Sequence, residues 1–306
     1  MSERVTAVVV NWNAGAHLAR CVEGLLAQQG VALNVVVVDN ASSDGSLGLL
    51  AQYRDAVQVV QTGENLGFGR AANRGVAASE GDLVLVLNPD VVLAPDAVRL
   101  LVNFLDTHPE VGIVGPRLKD AKGRVRATCG LAPRLVDEIC RKFLLHLIFP
   151  LFKFRRWRPS KPEAVAWVTG ACFVARRKTF DAVGGLDEAI FMYYEDVDLG
   201  LRTNQAGWQV MYVPAAEGTH IGGESSRQAL MRMLVVSEAS YAYFIKKHLG
   251  RVAAWLLMAL RPIEMVLRAL LWSVVFLFAQ NRRMEARARL RAYWIILTRG
   301  VSEEGL

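Results

Sequence analysis

The sequence predicts an α/β protein built on a doubly wound, mostly parallel sheet flanked by helices, and three observations predict it. Near-continuous apolar runs at Val5–Asn11, Asn34–Val38 and Leu83–Leu87 each end abruptly in polar turn residues, as strands buried on both faces do. Segments with apolar residues at helical spacing lie between them. Strand and helix signals alternate as β-α-β-α-β-α-β, for which a parallel sheet covered on both faces is the economical packing.

Taken in order, Val5–Asn11 is the first strand and Trp12 to Gly15 its turn. Ala16–Gln29 follows as a helix with Leu18, Val22, Leu25 and Leu26 on one face, and Gly30 is placed to stop it. Asn34–Val38 is the second strand, and a helix is expected from Ser46. Val57–Thr62 is the third strand, Arg70–Ser79 a helix, and Leu83–Leu87 the central strand. That strand stops at Asn88-Pro89-Asp90, since Pro89 cannot donate to a central ladder. Ligands of open α/β sheets bind just past such carboxyl ends. Beyond it, Asp96–His108 reads as a helix, Gly112–Pro116 as a strand and Asp120–Gly123 as a turn. Ala164–Ala175 is strand-like, Phe180–Gly185 a turn, Phe191–Gln205 the densest acidic cluster, Val210–Pro214 a short strand, His220–Ser225 a loop and Leu230–His248 a helix.

Composition points to a membrane surface. Hydrophobic residues make up 53% of the 306, mean hydropathy is +0.24 and net charge is +7. An apolar and basic balance suits a lipid surface or a polyanionic ligand; nucleic acid fits less well, because the basic residues sit beside apolar stretches. In the segment at about 140–162, Arg141, Lys142, Lys153, Arg155, Arg156, Arg158 and Lys161 interleave with large apolar residues. This reads as an interfacial segment, against the alternative of a core helix with a solvated basic edge. Two apolar blocks, Val252–Leu260 and Val266–Ala279, are split by Arg261-Pro262. Charges at Arg261, Glu264 and Arg268 keep each block short of the roughly 20 apolar residues a span needs. Arg282, Arg283, Arg287, Arg289 and Arg291 follow as a polybasic tail. The expected division is a catalytic domain over 1–250 and a membrane-associated helical region over 251–306; a dimer interface, and so a homo-oligomer, is the non-membrane alternative. Met1-Ser2-Glu3-Arg4 leads straight into a strand, so no secretory signal is expected. Cys21, Cys129, Cys140 and Cys172 read as free thiols in a reducing compartment. The expected location is the cytoplasmic face of the inner membrane, peripheral or monotopic.

Four acidic or metal-competent sites fall in loops after strands: Asp39, Asp90, the Glu195-Asp196 pair and His220. An Asp after a strand can simply cap a helix, and a lone His is more often structural than a ligand. Together they suit a phosphate, metal and base site: a diphosphate calls for a hard cation, Mg²⁺ or Mn²⁺, and a separate carboxylate would take the proton of an attacking hydroxyl. Asp198 and Arg202, four apart on one helix, read as a structural ion pair.

Eight segments carry a resemblance: Val8-Val9-Val10-Asn11-Trp12-Asn13; Val38-Asp39-Asn40-Ala41-Ser42-Ser43-Asp44-Gly45-Ser46; Asn65-Leu66-Gly67-Phe68-Gly69 through Asn73 to Gly75; Asn88-Pro89-Asp90; Gly170-Ala171-Cys172; Gly184-Gly185-Leu186-Asp187-Glu188; Glu195-Asp196-Val197-Asp198-Leu199; and His220-Ile221-Gly222-Gly223-Glu224-Ser225. In this order the chain, from residue 5 to about 250, resembles glycosyltransferase family 2, with the GT-A fold, and its rhamnosyltransferase-like members. The resemblance implies nucleotide binding by Asn11, Asn13, Asp39, Asn40, Ser42, Asn65, Gly67, Phe68, Asn73 and Asn88. It implies Asp90 and His220 at the metal, Gly170, Ala171, Asp187 and Glu195 on the acceptor or sugar side, Asp196 as the base and Glu195 as its neighbour. Asn88 stands where many relatives have Asp, which leaves the cation to Asp90, His220 and the diphosphate. The implied reaction is inverting transfer of a sugar from a nucleotide-diphosphate donor, dTDP-rhamnose favoured and a UDP-sugar second, to a lipid-linked or cell-envelope saccharide.

Two rivals are weighed. A sugar nucleotidyltransferase needs a basic Gly-rich loop after the first strand, and Asn11-Trp12-Asn13-Ala14-Gly15 has no basic residue. A catalytically degenerate membrane-bound scaffold of the same fold predicts no transfer at all.

Overall fold

The structure, a computed structural model, describes residues 5–145, 158–221 and 230–298. They form two compact units: residues 5–132, 158–191 and 195–221 in the first, and 133–145, 192–194 and 230–298 in the second.

In the first unit, strands β1 (Val5–Asn11), β2 (Leu33–Asp39), β3 (Val57–Gln61) and β4 (Leu83–Leu87) pair in parallel, in the order β3-β2-β1-β4. Every residue of β1 and β4 is buried, as their near-continuous apolar runs require. The sheet continues through antiparallel β10 (Cys172–Arg176), then β6 (Val111–Lys119), β11 (Gln209–His220) and β5 (Val91–Leu93). β8 (Glu163–Val165) pairs with β11, and β7 (Cys129–Gly130) pairs with β9 (Trp167–Val168) in a small second sheet. Side-chain alternation divides the core. Val5, Ala7 and Val9 pack with Leu18, Val22 and Leu25 of α1 (Ala16–Leu26) and Val98, Leu101 and Leu105 of α3 (Ala97–Thr107). Val8 and Val10 face the other side with Phe68, Ala72 and Val76 of α2 (Phe68–Ala77), Phe180 of α5 (Arg177–Ala182) and Leu199 of α6 (Glu195–Gln205). The result is helices on both faces of a mostly parallel sheet.

Several boundaries differ from the sequence reading. α1 ends at Leu26, three residues early, because Gln28 turns its side chain back to the carbonyls of Gly24 and Ala94. The helix expected from Ser46 is present, as a 3₁₀ helix over Ser46–Tyr53. Phe180–Gly185 is not all turn: it begins inside α5, and only Gly184 and Gly185, with φ of +78° and +67°, reverse the chain. The short strand at Val210–Pro214 runs on to His220; Pro214 is absorbed by a register shift between Val213 and Glu217, where a missing N–H is tolerated. His220 is therefore the last residue of a strand, not part of a loop. None of the four cysteines is in a disulfide, and burial pushes the thiols of Cys129 and Cys172 up to about 12, out of the reactive range.

The second unit is helical: α4 (Leu135–Lys142), α7 (Leu230–His248), α8 (Gly250–Ala259), α9 (Arg261–Phe278) and α10 (Arg283–Thr298). Val235, Met265, Ala292, Tyr293 and Ile296 form its core. Pro262 sits in the first turn of α9, where its missing N–H costs no hydrogen bond. The polybasic tail after Arg282 lies on helix α10; Arg282, in the 3₁₀ turn before it, and Arg289 bond Glu285 and stack on Trp272. Most of the interfacial segment, residues 146–157, lies outside the described residues. Its first two cations are not at a surface. Arg141 and Lys142 are buried, ion-paired with Glu264 at 3.0 and 2.7 Å, and lie over the Tyr241 ring. Arg268 reaches Glu264 at 2.8 Å and Arg141 also binds Glu138. A continuous basic face could not show that two of its members neutralise acids from distant helices. Burial pushes the Glu264 carboxyl up, but Arg141, Lys142 and Arg268 together hold it below the usual range. Its stabilising charge is thus present at neutral pH and lost as pH falls through the depressed value. Glu264→Gln should lower unfolding free energy by about 3–5 kcal/mol at neutral pH, with the deficit shrinking in acid; denaturant melts at several pH values read both.

Among the described residues no helix is long and apolar enough to cross a membrane.

Candidate active site

The register of the parallel strands gathers the chemistry at one edge. Asn11 pairs with Asp39, and Val9 with Leu87, so the ends of β1, β2 and β4 lie level. β10 runs the other way, with Cys172 opposite Leu87, and the Asn88 N–H donates to the Ala171 carbonyl at 3.0 Å. Gly170 and Ala171 therefore join Asn11, Asp39 and Asn88–Asp90 at the carboxyl edge, where open α/β sheets take ligands.

Asn11, fully buried, donates from its amide to Asp39 Oδ1 at 2.8 Å and also approaches the Ser42 and Ser46 hydroxyls at 3.0 and 2.9 Å. The Ser42 hydroxyl accepts from the Asn13 N–H at 3.0 Å, and Asn13 Oδ1 from the Ser43 N–H at 2.8 Å. Asn13 takes φ +50°, which its short polar side chain tolerates. The two loops after β1 and β2 are thus one hydrogen-bonded platform, with Asp39 only 5% exposed beneath it.

Three residues expected at the nucleotide have their amides engaged by protein. Asn40, 2% exposed, donates to Asn65 Oδ1 and the Gly67 carbonyl and accepts from the Leu66 N–H. Asn65 Oδ1 accepts in addition from the Gly67 N–H. Asn73 bonds the Leu186 carbonyl and N–H and Glu188 Oε1. These side chains position loops: Asn40 and Asn65 fix residues 62–67 to the end of β2, and Asn73 holds the 186–188 loop. Asp187 caps that loop, accepting from the Ala189 N–H at 2.9 Å. Gly67 has φ +82°, and a Cβ there would lie 2.3 Å from the Phe191 carbonyl oxygen, so any side chain would force that contact apart. Phe68 is 7% exposed and packs in the core under Gly170.

Asp90 and His220 meet. His220 Nε2 lies 3.3 Å from Asp90 Oδ1, brought there because β11 pairs with β5 at His220 and Val91. Both side chains are about 85% buried, at 15% and 13% exposure. Arg126, which no sequence motif marked, adds a cation: its Nη1 is 3.3 Å from the His220 carbonyl and 3.5 Å from Nδ1. Only the strand pairing of β11 could have shown it. Residues 222–225 of the His220 segment lie outside the described residues.

α6 begins at the acidic pair. Asp196 Oδ2 accepts from the Gly170 N–H at 2.9 Å and Oδ1 from the Val197 N–H at 2.8 Å. Gly170 permits this approach; a Cβ would sit 3.4 Å from Asp196 Cβ. Glu195 is 7% exposed, and burial, then the charge of Asp196, push its carboxyl up to about 8. Just before it, Tyr193 and Tyr194 have φ of +69° and +73°, a conformation aromatic residues rarely adopt and one that clusters at functional sites. Asp198 and Arg202 do form an ion pair, at 2.6 Å, and Arg202 also donates to the Val183 and Gly185 carbonyls.

This edge, with a carboxylate-histidine pair and a second acidic pair on a helix start, suits charge stabilisation at a diphosphate and proton removal from a hydroxyl. Comparison with known proteins gives it a family. Residues 3–237 match the family model described as glycosyltransferase like family 2. The chain is 32% identical over 271 residues to a Mycobacterium tuberculosis protein named N-acetylglucosaminyl-diphospho-decaprenol L-rhamnosyltransferase, covering 82% of this chain and 87% of that one. It is 27% identical over 203 residues to the Escherichia coli rhamnosyltransferase WbbL, covering 63% and 74%. Among solved structures, the mannosyltransferase PcManGT of Pyrobaculum calidifontis, in complex with GDP-Man and Mn²⁺, superposes with a TM-score of 0.54 over 96% of this chain and 86% of that one, at 18% identity. The sheet order, the ligand edge and the 3–237 match together make this chain a GT-A glycosyltransferase of the family-2-like group, on its rhamnosyltransferase-like side.

Proposed function

We propose that the protein transfers rhamnose from dTDP-rhamnose, with a UDP-sugar as second choice, to a hydroxyl of a lipid-linked saccharide, with inversion and with a divalent cation. The Asp90–His220 contact is the observation that carries this reading. One hard carboxylate oxygen and one imidazole, beside a neutral Asn88, fit Mg²⁺ or Mn²⁺ only if the donor supplies further ligands. Among the described residues no cluster of three or more metal-capable side chains exists, which suits a cation that arrives with a diphosphate. Bound there, it would offset the charge that develops on the departing nucleotide diphosphate.

Asn11, Asn13 and Ser42 frame Asp39, whose carboxylate accepts from the base or ribose. Asp196 takes the proton of the acceptor hydroxyl while that oxygen attacks the anomeric carbon. The bond from that carbon to the diphosphate oxygen breaks on the opposite face, and one displacement inverts the centre. Burial and the charge of Asp196 raise the Glu195 carboxyl to about 8, which favours its protonated form near neutrality and leaves the acceptor proton to Asp196, as the family resemblance implies. As a neutral acid it can donate to an acceptor hydroxyl or to Asp196. The name of the mycobacterial relative, with its diphospho-decaprenol acceptor, supports a lipid-linked acceptor for this chain.

The same reading places the protein on the cytoplasmic face of the inner membrane, held by the region over 251–306. Ile263, Val266, Leu270, Val274 and Leu277 form one exposed apolar stripe along α9, 44–62% accessible. Such a stripe beside arginines is the pattern of a helix lying in an interface. Flotation with anionic vesicles checks this: Leu270→Glu with Val274→Glu should abolish it, and unchanged flotation would remove α9 as the contact.

A thermal-shift panel of nucleotides and nucleotide sugars with Mn²⁺ tests the catalytic reading. dTDP-rhamnose with Mn²⁺ should stabilise by about 2.7 kcal/mol at a concentration 100 times its Kd. No shift with any nucleotide diphosphate would favour the degenerate scaffold, and a response only to a nucleoside triphosphate would favour the nucleotidyltransferase.

A further inference from the structure

The first unit carries a basic hairpin at the ligand edge whose cations have no part in the reaction described above. β6 pairs with β11 so that Lys119 lies level with Thr219, one residue before His220. The chain turns there, with the Asp120 side chain accepting from the Lys122 and Arg124 N–H groups. It then returns along β6, and the Arg126 N–H donates to the Leu118 carbonyl at 2.9 Å. The hairpin thus fixes the Arg126 backbone beside Asp90 and His220. That pair is itself held by the β5–β11 pairing and by the Ile221 N–H on the Asp90 carbonyl.

Three other cations of the hairpin are committed. Arg117 and Lys119 pair with Glu217 at 3.2 and 2.5 Å, and Arg124 with Asp120 at 2.7 Å. Arg126, half-buried, pairs with no carboxylate among the described residues. Its Nη1 meets only the His220 carbonyl and ring Nδ1, at 3.3 and 3.5 Å. Its Nε and Nη2 groups, the planar fork that matches two phosphate oxygens, have no partner among the described residues.

A guanidinium only donates, so Nδ1 beside it must accept, and the ring hydrogen sits on Nε2 against Asp90 Oδ1. An Nε2 that carries hydrogen cannot ligate a cation; a ligating imidazole keeps its hydrogen on the other nitrogen. His220 can therefore serve a cation only after Arg126 has left Nδ1. The negative charge that would receive the freed guanidinium arrives with the donor.

We propose that Arg126 is a donor-binding residue that leaves the His220 ring when the nucleotide diphosphate and its cation enter, and takes diphosphate oxygens on its Nε–Nη2 fork. This rests on the reading of Asp90 and His220 as the residues that hold the cation. It adds an exchange in which one side chain guards the empty site and then secures the filled one.

Two affinities of the full chain, measured without acceptor, test it: Mn²⁺ alone, by the electron paramagnetic resonance of the free ion, and dTDP with saturating Mn²⁺, by calorimetry, with UDP in parallel. Arg126→Met keeps the reach of the side chain and removes every donor. It should bind dTDP with Mn²⁺ at least tenfold more weakly than the parent. It should bind Mn²⁺ alone about tenfold more tightly, because Nδ1 is free to carry the hydrogen. A merely structural role would weaken both. Arg126→Lys, which keeps a point charge without the fork, should fall between parent and Arg126→Met for dTDP. Thymidine, which has no phosphate, should give equal saturation-transfer NMR signals with the parent and Arg126→Met. Parent-like affinity for dTDP with Mn²⁺ in Arg126→Met would overturn the assignment, and so would weaker binding of Mn²⁺ alone. If the parent binds neither dTDP nor UDP, the donor reading falls as well; a parent that binds and an indifferent Arg126→Met remove Arg126 alone.

Discussion

Asp196→Asn should lower kcat for sugar transfer by ~10²–10⁴ and leave the melting temperature close to that of the parent. The carboxamide keeps the size of the side chain and an oxygen to accept from the Gly170 N–H, so the fold has little reason to change. What it loses is the ability to take a proton. Wild-type turnover in this variant would remove Asp196 as the base. Glu195 gives an independent reading through stability. Its carboxyl is raised when folded, so its neutral form is favoured by folding. Between the ordinary carboxylate range and about 8 the unfolded chain is ionised while the folded one is not, and stability is lost as pH rises through that window. Glu195→Gln removes the titration. Its melting temperature relative to the parent should therefore climb from pH 5 to pH 8, each 1 kcal/mol being worth about 2–4 °C. A pH-independent difference would show that Glu195 is ionised at neutrality and would reopen the choice between the two carboxylates.

Asp90→Ala should reduce transfer on the order of 10²–10³ and weaken the dependence on Mn²⁺ measured by titration. Removing Asp90 takes away the carboxylate at the end of β4 that His220, beside Arg126, meets. Asp90→Asn, which keeps the shape, should lose nearly as much, because the carboxylate charge is what a hard cation needs. Full activity in Asp90→Asn, with the same Mn²⁺ response, would place the cation elsewhere. Thermal melts in the absence of nucleotide separate this effect from a loss of fold.

The sheet was readable because its central strands are buried on both faces. Leu83–Leu87 had no choice but to be apolar, as had Val5–Val10 apart from Thr6, and a run that ends at Asn88-Pro89-Asp90 announces where the strand stops. The same logic exposed the carboxyl-edge loops. It failed where a feature depends on a partner far along the chain. The motifs around Asn40 and Asn73 did not show that carbonyls and amides of other loops engage these side chains. Arg141 and Lys142 look like a membrane-facing edge, yet Glu264 lies against them. The expected boundary at residue 250 follows the end of α7, whereas contacts gather α4, α7 and the C-terminal helices in one unit.

By itself the sequence determined the alternation of strands and helices, the ends of β1, β2 and β4, and the residue types available for the chemistry. These follow from burial and backbone periodicity, which act over a few residues. Only the tertiary structure decided that His220 meets Asp90, that Arg126 stands beside them, and that Glu195 is desolvated next to Asp196. Those are consequences of strand pairing and helix packing between segments up to 130 residues apart. Charge and proton affinity are set by such neighbours in space and by the exclusion of water, and neither is a property of local sequence.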